Sequence, residues 1–473
     1  MQSKRLAANY IIVLIATGAA AWLAFSDPFI LPGNTPAGMS VAAPQRCVAI
    51  FLMCMSLWLT NLIPLAATGL LAIALLPLLG VLPEKEAFSL FGNRAVFFML
   101  GVFLLAAAMI STGLSKRITL IALQRFDGSP ARLVVGVTLS AAFLALWMPE
   151  HAVAAMIYPI LAEIVASLGL KQGHPYAKKL FLGLAWGSII GGVGTFLGGA
   201  RVPLALSLLY EAHPEAHVGF LAWLLASAPI VLLLTLVAIW TLHRRIPSDL
   251  TDIKAATHML DERVRRLGPM SGKEWRLAVL GGATIITWIV GGHALGLAVI
   301  AMISAALLFL LRIVQWPALQ DYVNWGVLIM YGGAVALGSA LSETHAIEWM
   351  AREIIGPQTP KMVVILAMAA VAMLLTEGIS NTAAVAILLP IGYSLADMIG
   401  VGPVMITLAV TIPAGLAFLL PLSSPPNAIS FAAGHYSIRE VVRVGWPMTV
   451  SAVAVVAFVI VIWWDMILGI GSW

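Results

Sequence analysis

Hydrophobic positions in this chain fall in long unbroken runs, unlike the alternating or one-faced patterns of a soluble domain. Runs near the roughly 18 residues that mark a bilayer span occupy Tyr10–Phe25, Cys47–Leu62, Pro64–Leu82, Arg94–Thr112 and Phe220–Leu242. Others follow at Leu277–Val290, Leu295–Ile313, Val323–Leu341 and Val444–Leu468. Four segments are too long or too interrupted for a simple span. Arg132–Leu168 and Lys361–Met398 each place two apolar arms around a polar tip, Trp147-Met148-Pro149-Glu150-His151 in the first and Ser380-Asn381-Thr382 in the second. Both read as re-entrant hairpins. Lys179–Tyr210 is interrupted by Gly191-Gly192-Val193-Gly194-Thr195 and Gly198-Gly199, and Pro403–Gly434 by Pro421-Leu422-Ser423-Ser424-Pro425-Pro426-Asn427. Both read as helices unwound partway across the bilayer. The pattern predicts an all-α polytopic membrane protein with about 11 transmembrane helices and two re-entrant hairpins. Its expected organisation is an N-terminal helix and loop (1–42), a first unit (43–242), a cytoplasmic linker (243–276) and a second unit (277–473).

Composition sharpens this. Of 473 residues, 61% are hydrophobic and 10% charged, against about 25% charged in soluble chains. No stretch outside the apolar runs is long enough for a soluble catalytic domain. Lys4 and Arg5 ahead of the first run suggest a signal peptide, but the many later spans and the lack of a convincing cleavage site favour a retained helix. The net charge of +5 could suggest nucleic acid, but its distribution argues for membrane topology instead. With a cytoplasmic N-terminus, 20 Lys and Arg fall on the cytoplasmic side and 5 on the other (Arg46, Lys85, Arg94, Arg352 and Lys361). This places the C-terminus on the opposite face, in a cytoplasmic (inner) membrane. Cys47 and Cys54 read as same-face core residues. No zinc, haem, P-loop or dinucleotide spacing is present.

The halves also repeat. A shift of 231 residues carries Asn93, Val96, Met99, Gly101 and Ser111 onto Asn324, Val327, Met330, Gly332 and Ser342. The same register carries Pro149-Glu150-His151 onto Ser380-Asn381-Thr382 and Pro159-Ile160 onto Pro390-Ile391. Each unit has an odd number of spans, five, so the two copies are expected to be inverted. Inverted repeats with broken elements typify secondary transporters, with the site where the interruptions meet. Alone, Ser380-Asn381-Thr382 could be a polar helix–helix contact; its altered second copy favours a shared site.

Ser380-Asn381-Thr382 in the hairpin, with Ser424-Pro425-Pro426-Asn427 in the broken helix, resembles the divalent anion/sodium symporter (DASS) family, and the likeness runs from the second span to the last. The resemblance implies a homodimeric elevator-type carrier of dicarboxylates, citrate or sulfate, coupled to sodium. Carried over by position, Asn381, Thr382, Ser424 and the Pro425 backbone would contact the anion. Thr376, Ser380, Asn381 and the Ser423 carbonyl would cage sodium, and a hard cation does favour several oxygens.

The first half departs from that pattern. Glu150 and His151 stand where Asn and Thr are expected, Ala145 where a hydroxyl would sit, and Gly198-Gly199-Ala200-Arg201-Val202 replaces the proline-rich break. A charge near the bilayer centre is costly, so it is usually paired or functional. One reading is a structural Glu150–Arg201 ion pair. The other makes Arg201 a permanent cation in place of the first sodium, able to hold a carboxylate or sulfonate through its planar fork. Glu150 and His151 would then be substrate-side groups that carry a proton, since a buried carboxyl holds its proton more tightly and histidine titrates near neutrality. Rivals are a sodium/proton or inorganic-oxyanion carrier, a membrane enzyme, for which no nucleophile or metal set stands beside Glu150, and a transport-dead sensor. Among other polar residues, Glu377 is expected to support the second tip, and His213, Glu215 and His217 to form a solvated loop. His293, His345, Trp463 and Trp464 are expected at the membrane interface.

Overall fold

The computed structural model describes residues 2–27, 40–346, 359–421 and 423–470, with the side chains of residues 2–8 and of His293 left aside. Arg352, counted above in the charge bias, and Leu422, within the expected break, lie outside these. All regular structure among the described residues is helical, as hydrocarbon requires of spans that satisfy their own backbone. Nine helices there are long and apolar enough to cross a membrane, and five shorter apolar helices accompany them.

Both hairpins form. The first pairs Pro130–Ala145 with Glu150–Ser167, and the second pairs Lys361–Gly378 with Asn381–Ile399. The first broken helix runs Pro175–Gly192, unwinds, and resumes at Arg201–Ala212. Gly191 lies inside its helix rather than in the break. A Cβ there would sit 2.0 Å from the Ala142 carbonyl oxygen, so this glycine serves close packing against the first hairpin arm. The carbonyls freed beyond it find side-chain donors on the helix Phe220–Arg245: Trp223 Nε1 donates to Val193 O at 3.1 Å, and Ser227 Oγ to Gly194 O at 2.9 Å.

The second broken helix opens earlier than expected. It ends at Thr411, makes one tight turn at Pro413–Gly415, and restarts at Pro425–Phe431. The expected break at 421–427 misjudged the prolines. Pro413 has no N–H and its ring crowds the preceding turn, so the helix stops before it. Pro425 and Pro426 instead open the next helix, where proline is tolerated.

Packing follows the 231-residue register. Asn93 and Asn324 both cap the helices after them, accepting from Ala95 N at 2.9 Å and Val327 N at 3.2 Å. The helix Leu65–Leu78 packs on Trp325–Glu343, and its counterpart Leu297–Leu310 packs on Arg94–Ser111. Likewise Arg201–Ala212 packs on the second arm of the second hairpin, while Pro425–Phe431 packs on the second arm of the first. In the first of these contacts the backbones touch: a Cβ on Gly333 would meet Gly69 Cα at 2.4 Å.

Polar groups fasten the helices to one another. Trp464 is fully buried, and Trp463 and Trp464 donate at 2.9 Å to the carbonyls of Leu225 and Ala226. Both rings tie the C-terminal helical segment to the helix Phe220–Arg245. Pro229 lies inside that helix, and lacking an N–H it leaves the Leu225 carbonyl free to accept. His213 is half-buried rather than solvated, its ring edge-on to Tyr393 at 5.4 Å. Cys47 and Cys54 are buried and free. The linker is held down, with Arg117 donating to the carbonyls of Leu267, Gly268 and Pro269 and to Glu274 at 2.7 Å.

Candidate functional site

Each hairpin's second arm begins with the residue that the repeat register pairs across the halves, Glu150 in one and Asn381 in the other. The two meet. Asn381 Nδ2 donates to Glu150 Oε1 at 3.5 Å, a long contact between positions 231 residues apart. Glu150 Oε2 pairs with Arg201 Nη1 at 3.1 Å, and the Glu150 N–H donates to the Gly198 carbonyl at 2.9 Å. A carboxylate at a helix N-terminus also faces the positive end of the helix dipole. Arg201 is 1% exposed and Glu150 5%, so this is a desolvated ion pair, whose two charges need each other.

Arg201 does more than pair with Glu150. A Cβ on Gly415 would lie 2.4 Å from its Nε, and one on Gly199 2.5 Å from its Nη1. The guanidinium therefore lies against glycine backbone from both breaks. Its Nε and Nη2 are buried with no acceptor among the described residues, which leaves the two-donor edge that suits a carboxylate or sulfonate unused.

On the other side, the Thr376 hydroxyl lies 2.5 Å from Asn381 Oδ1 and 2.7 Å from Ala414 O, donating to one at a time. These three oxygens form a compact group of the kind a sodium ion favours, and Ala414 O was not foreseen from sequence. Ser380 is half-buried and its side chain makes no cap. Thr382 is buried beside Asn381.

Ser423 belongs to a separate knot. Its hydroxyl donates to Leu420 O at 2.6 Å and accepts from Asn427 Nδ2 at 3.0 Å, while Asn427 also donates to Ala417 O at 2.9 Å. Ser424 Oγ is buried without a partner, and Pro425 is exposed at the start of its helix. His151 is half-buried, and the hydrogen bonds joining the tips run through Glu150 rather than through it.

Glu377 has a larger part than tip support. Its carboxylate accepts from three successive backbone N–H groups, Phe418 at 2.8 Å, Leu419 at 3.0 Å and Leu420 at 3.0 Å. An unwound segment must satisfy its backbone somehow, and an acid one residue after Thr376 was the only sign of this in the sequence.

A membrane-embedded, all-helical core in which two hairpin tips and two broken helices converge on buried polar groups is the construction of a secondary transporter. Residues 17–470 match the sodium:sulfate symporter transmembrane region, and the chain belongs to that family of sodium-coupled anion transporters. It is a multi-pass membrane transporter, not an enzyme. It is 29% identical over 452 residues to the sodium-dependent dicarboxylate transporter SdcS of Staphylococcus saprophyticus, covering 89% of this chain and 86% of that one. Its identity to SdcS of Staphylococcus aureus is 28% over 442 residues, covering 87% and 84%. The fold resembles that of Neisseria gonorrhoeae MtrF, described as illuminating a class of antimetabolite efflux pumps (TM-score 0.56, 13% identity, 97% and 94% covered). It also resembles the Alcanivorax borkumensis YdaH transporter (TM-score 0.53, 16% identity, 89% and 99% covered).

Proposed function

We propose that this protein is a secondary active transporter of a dicarboxylate-like organic anion, or of sulfate or a sulfonate, carried with one sodium ion at the second tip and with a proton or counter-anion in place of a second sodium. The observation that carries this reading is the Arg201–Glu150–Asn381 chain of contacts between the two tips. Thr376, Asn381 and Ala414 O supply the sodium oxygens, with Ser380, next to Asn381 in the chain, and the Ser423 carbonyl as further ligands. The fixed guanidinium beside Glu150 repels a second cation. Asn381, Thr382, Ser424 and the Pro425 backbone, with Arg201, face the anion.

Charge balance gives the mechanism. Glu150 and Arg201 sum to zero, so an added anion leaves net negative charge in a low-dielectric site. A sodium at Thr376 offsets one unit, and a proton on Glu150, relayed through His151, offsets another. Protonation also removes the opposing charge from Arg201, whose unused Nε–Nη2 edge then holds the cargo more strongly. In exchange mode Arg201 itself serves as the standing counter-charge. The same reading carries an inverted-repeat homodimer in the cytoplasmic membrane, with an elevator motion of the hairpin-bearing part, the N-terminus inside and the C-terminus outside.

Uptake into proteoliposomes, with succinate, citrate and sulfate offered while sodium and pH are varied independently, tests it. The expected sodium Hill coefficient is no higher than one, and Glu150→Gln, which keeps an acceptor oxygen for Arg201, flattens the pH profile. A Hill coefficient of two would overturn the single-sodium reading. An unchanged pH profile removes Glu150 from coupling.

A further inference from the structure

Buried donors without acceptors are rare in folded proteins, because each loses its water and gains nothing. Arg201 Nε and Nη2 are two such groups, and the Tyr331 hydroxyl is a third. Tyr331 is 0% exposed. It lies on the helix Trp325–Glu343, which packs against the helix that Arg201 begins. A Cβ on Gly338 would meet Leu208 Cδ2 at 2.7 Å, and Glu211 and Ser342 line one small cavity further along, so the two helices run side by side in the same direction. Seven residues back from the Gly338–Leu208 contact on each helix, Tyr331 falls level with Arg201. Its backbone is held firmly, since Gly333, two residues on, abuts Gly69.

We propose that Tyr331 is a substrate-binding residue whose hydroxyl joins the free Nε–Nη2 edge of Arg201 to hold one oxyanion group of the cargo. The inference rests on the reading of Arg201 as an anion contact. The paired N–H groups match two oxygens in one plane. The hydroxyl adds a third donor, which a carboxylate takes on a remaining lone pair and a sulfate or sulfonate takes on a further oxygen. Tyr331 belongs to neither hairpin and neither broken helix, so cargo bound this way touches a part of the fold that the sequence motifs do not include.

Phenylalanine separates this role from a structural one. The hydroxyl has no partner in the free protein, so Tyr331→Phe leaves the ligand-free unfolding temperature of the full chain in detergent unchanged or slightly raised. Titration with succinate and with sulfate should show about tenfold weaker binding by the variant, the loss of one hydrogen bond to a charged group. A larger loss for sulfate than for succinate assigns the hydroxyl to a third oxygen. Wild-type affinity in Tyr331→Phe overturns the proposal, as does a lowered ligand-free unfolding temperature with affinity intact. Arg201→Lys, which keeps the charge but loses the fork, is the companion arm. If it weakens binding while Tyr331→Phe does not, the anion reading of Arg201 stands and Tyr331 falls. If neither changes affinity, both fall.

Discussion

The two hairpin tips occupy equivalent places in the repeat register, yet they solve the same problem with opposite chemistry. The second keeps neutral oxygens, with Thr376, Asn381 and Ala414 O grouped within hydrogen-bond distance. The first holds a buried ion pair, Glu150 with Arg201. A neutral tip needs a cation brought from outside to bind an anion, whereas the charged tip has its cation built into the chain. The breaks differ in the same sense but in reverse. The first is satisfied by the neutral donors of Trp223 and Ser227, and the second by the Glu377 carboxylate.

The strongest way to break this comparison is to remove one charge of the pair. Arg201→Met should destabilise the protein by about 3–5 kcal/mol, the cost of an uncompensated buried charge, while Glu150→Gln with Arg201→Met recovers most of that loss. Denaturation in detergent reads both, and equal stabilities for single and double variants would mean that the pair is not a coupled unit. Next in size is the glycine that lies against the guanidinium. Gly415→Ala should cost about 1–3 kcal/mol of packing strain and depress uptake, because Nε stands where the methyl would go. Gly378→Ala near the second tip meets nothing within 4 Å and serves as the control; similar effects of the two on uptake would argue against a special role for Arg201. The smallest effect is expected at the second break. Glu377→Gln keeps only one acceptor oxygen for three N–H groups and should cost about 1–2 kcal/mol. Faster hydrogen exchange confined to the Phe418–Leu420 amides would show it, and unchanged protection would mean that these amides are held by something else.

Much of the architecture was legible because hydrocarbon permits so few solutions. Run length identified the helices, and polar residues inside apolar runs marked both tips. The register that pairs Glu150 with Asn381 in sequence also pairs them in space. What could not be read were contacts that depend on distant backbone. Glu377 captures amides about forty positions downstream, and Trp463 finds a carbonyl freed by Pro229. Ala414 contributes only its carbonyl, which no side-chain motif reveals. Pro413 was visible, but the more conspicuous Pro425-Pro426 pair drew the expected break toward itself. Tyr331 gave no signal, since a tyrosine in an apolar span reads as ordinary filling.

The close approach of Gly69 and Gly333 has a mechanical consequence. Where two helices meet main chain to main chain, sliding by a single residue would drive a side chain into the facing backbone, so this contact behaves as a keyed joint rather than a sliding bearing. Leu65–Leu78 and Trp325–Glu343 are therefore locked as one rigid pair, which any shift within the molecule would have to carry as a unit.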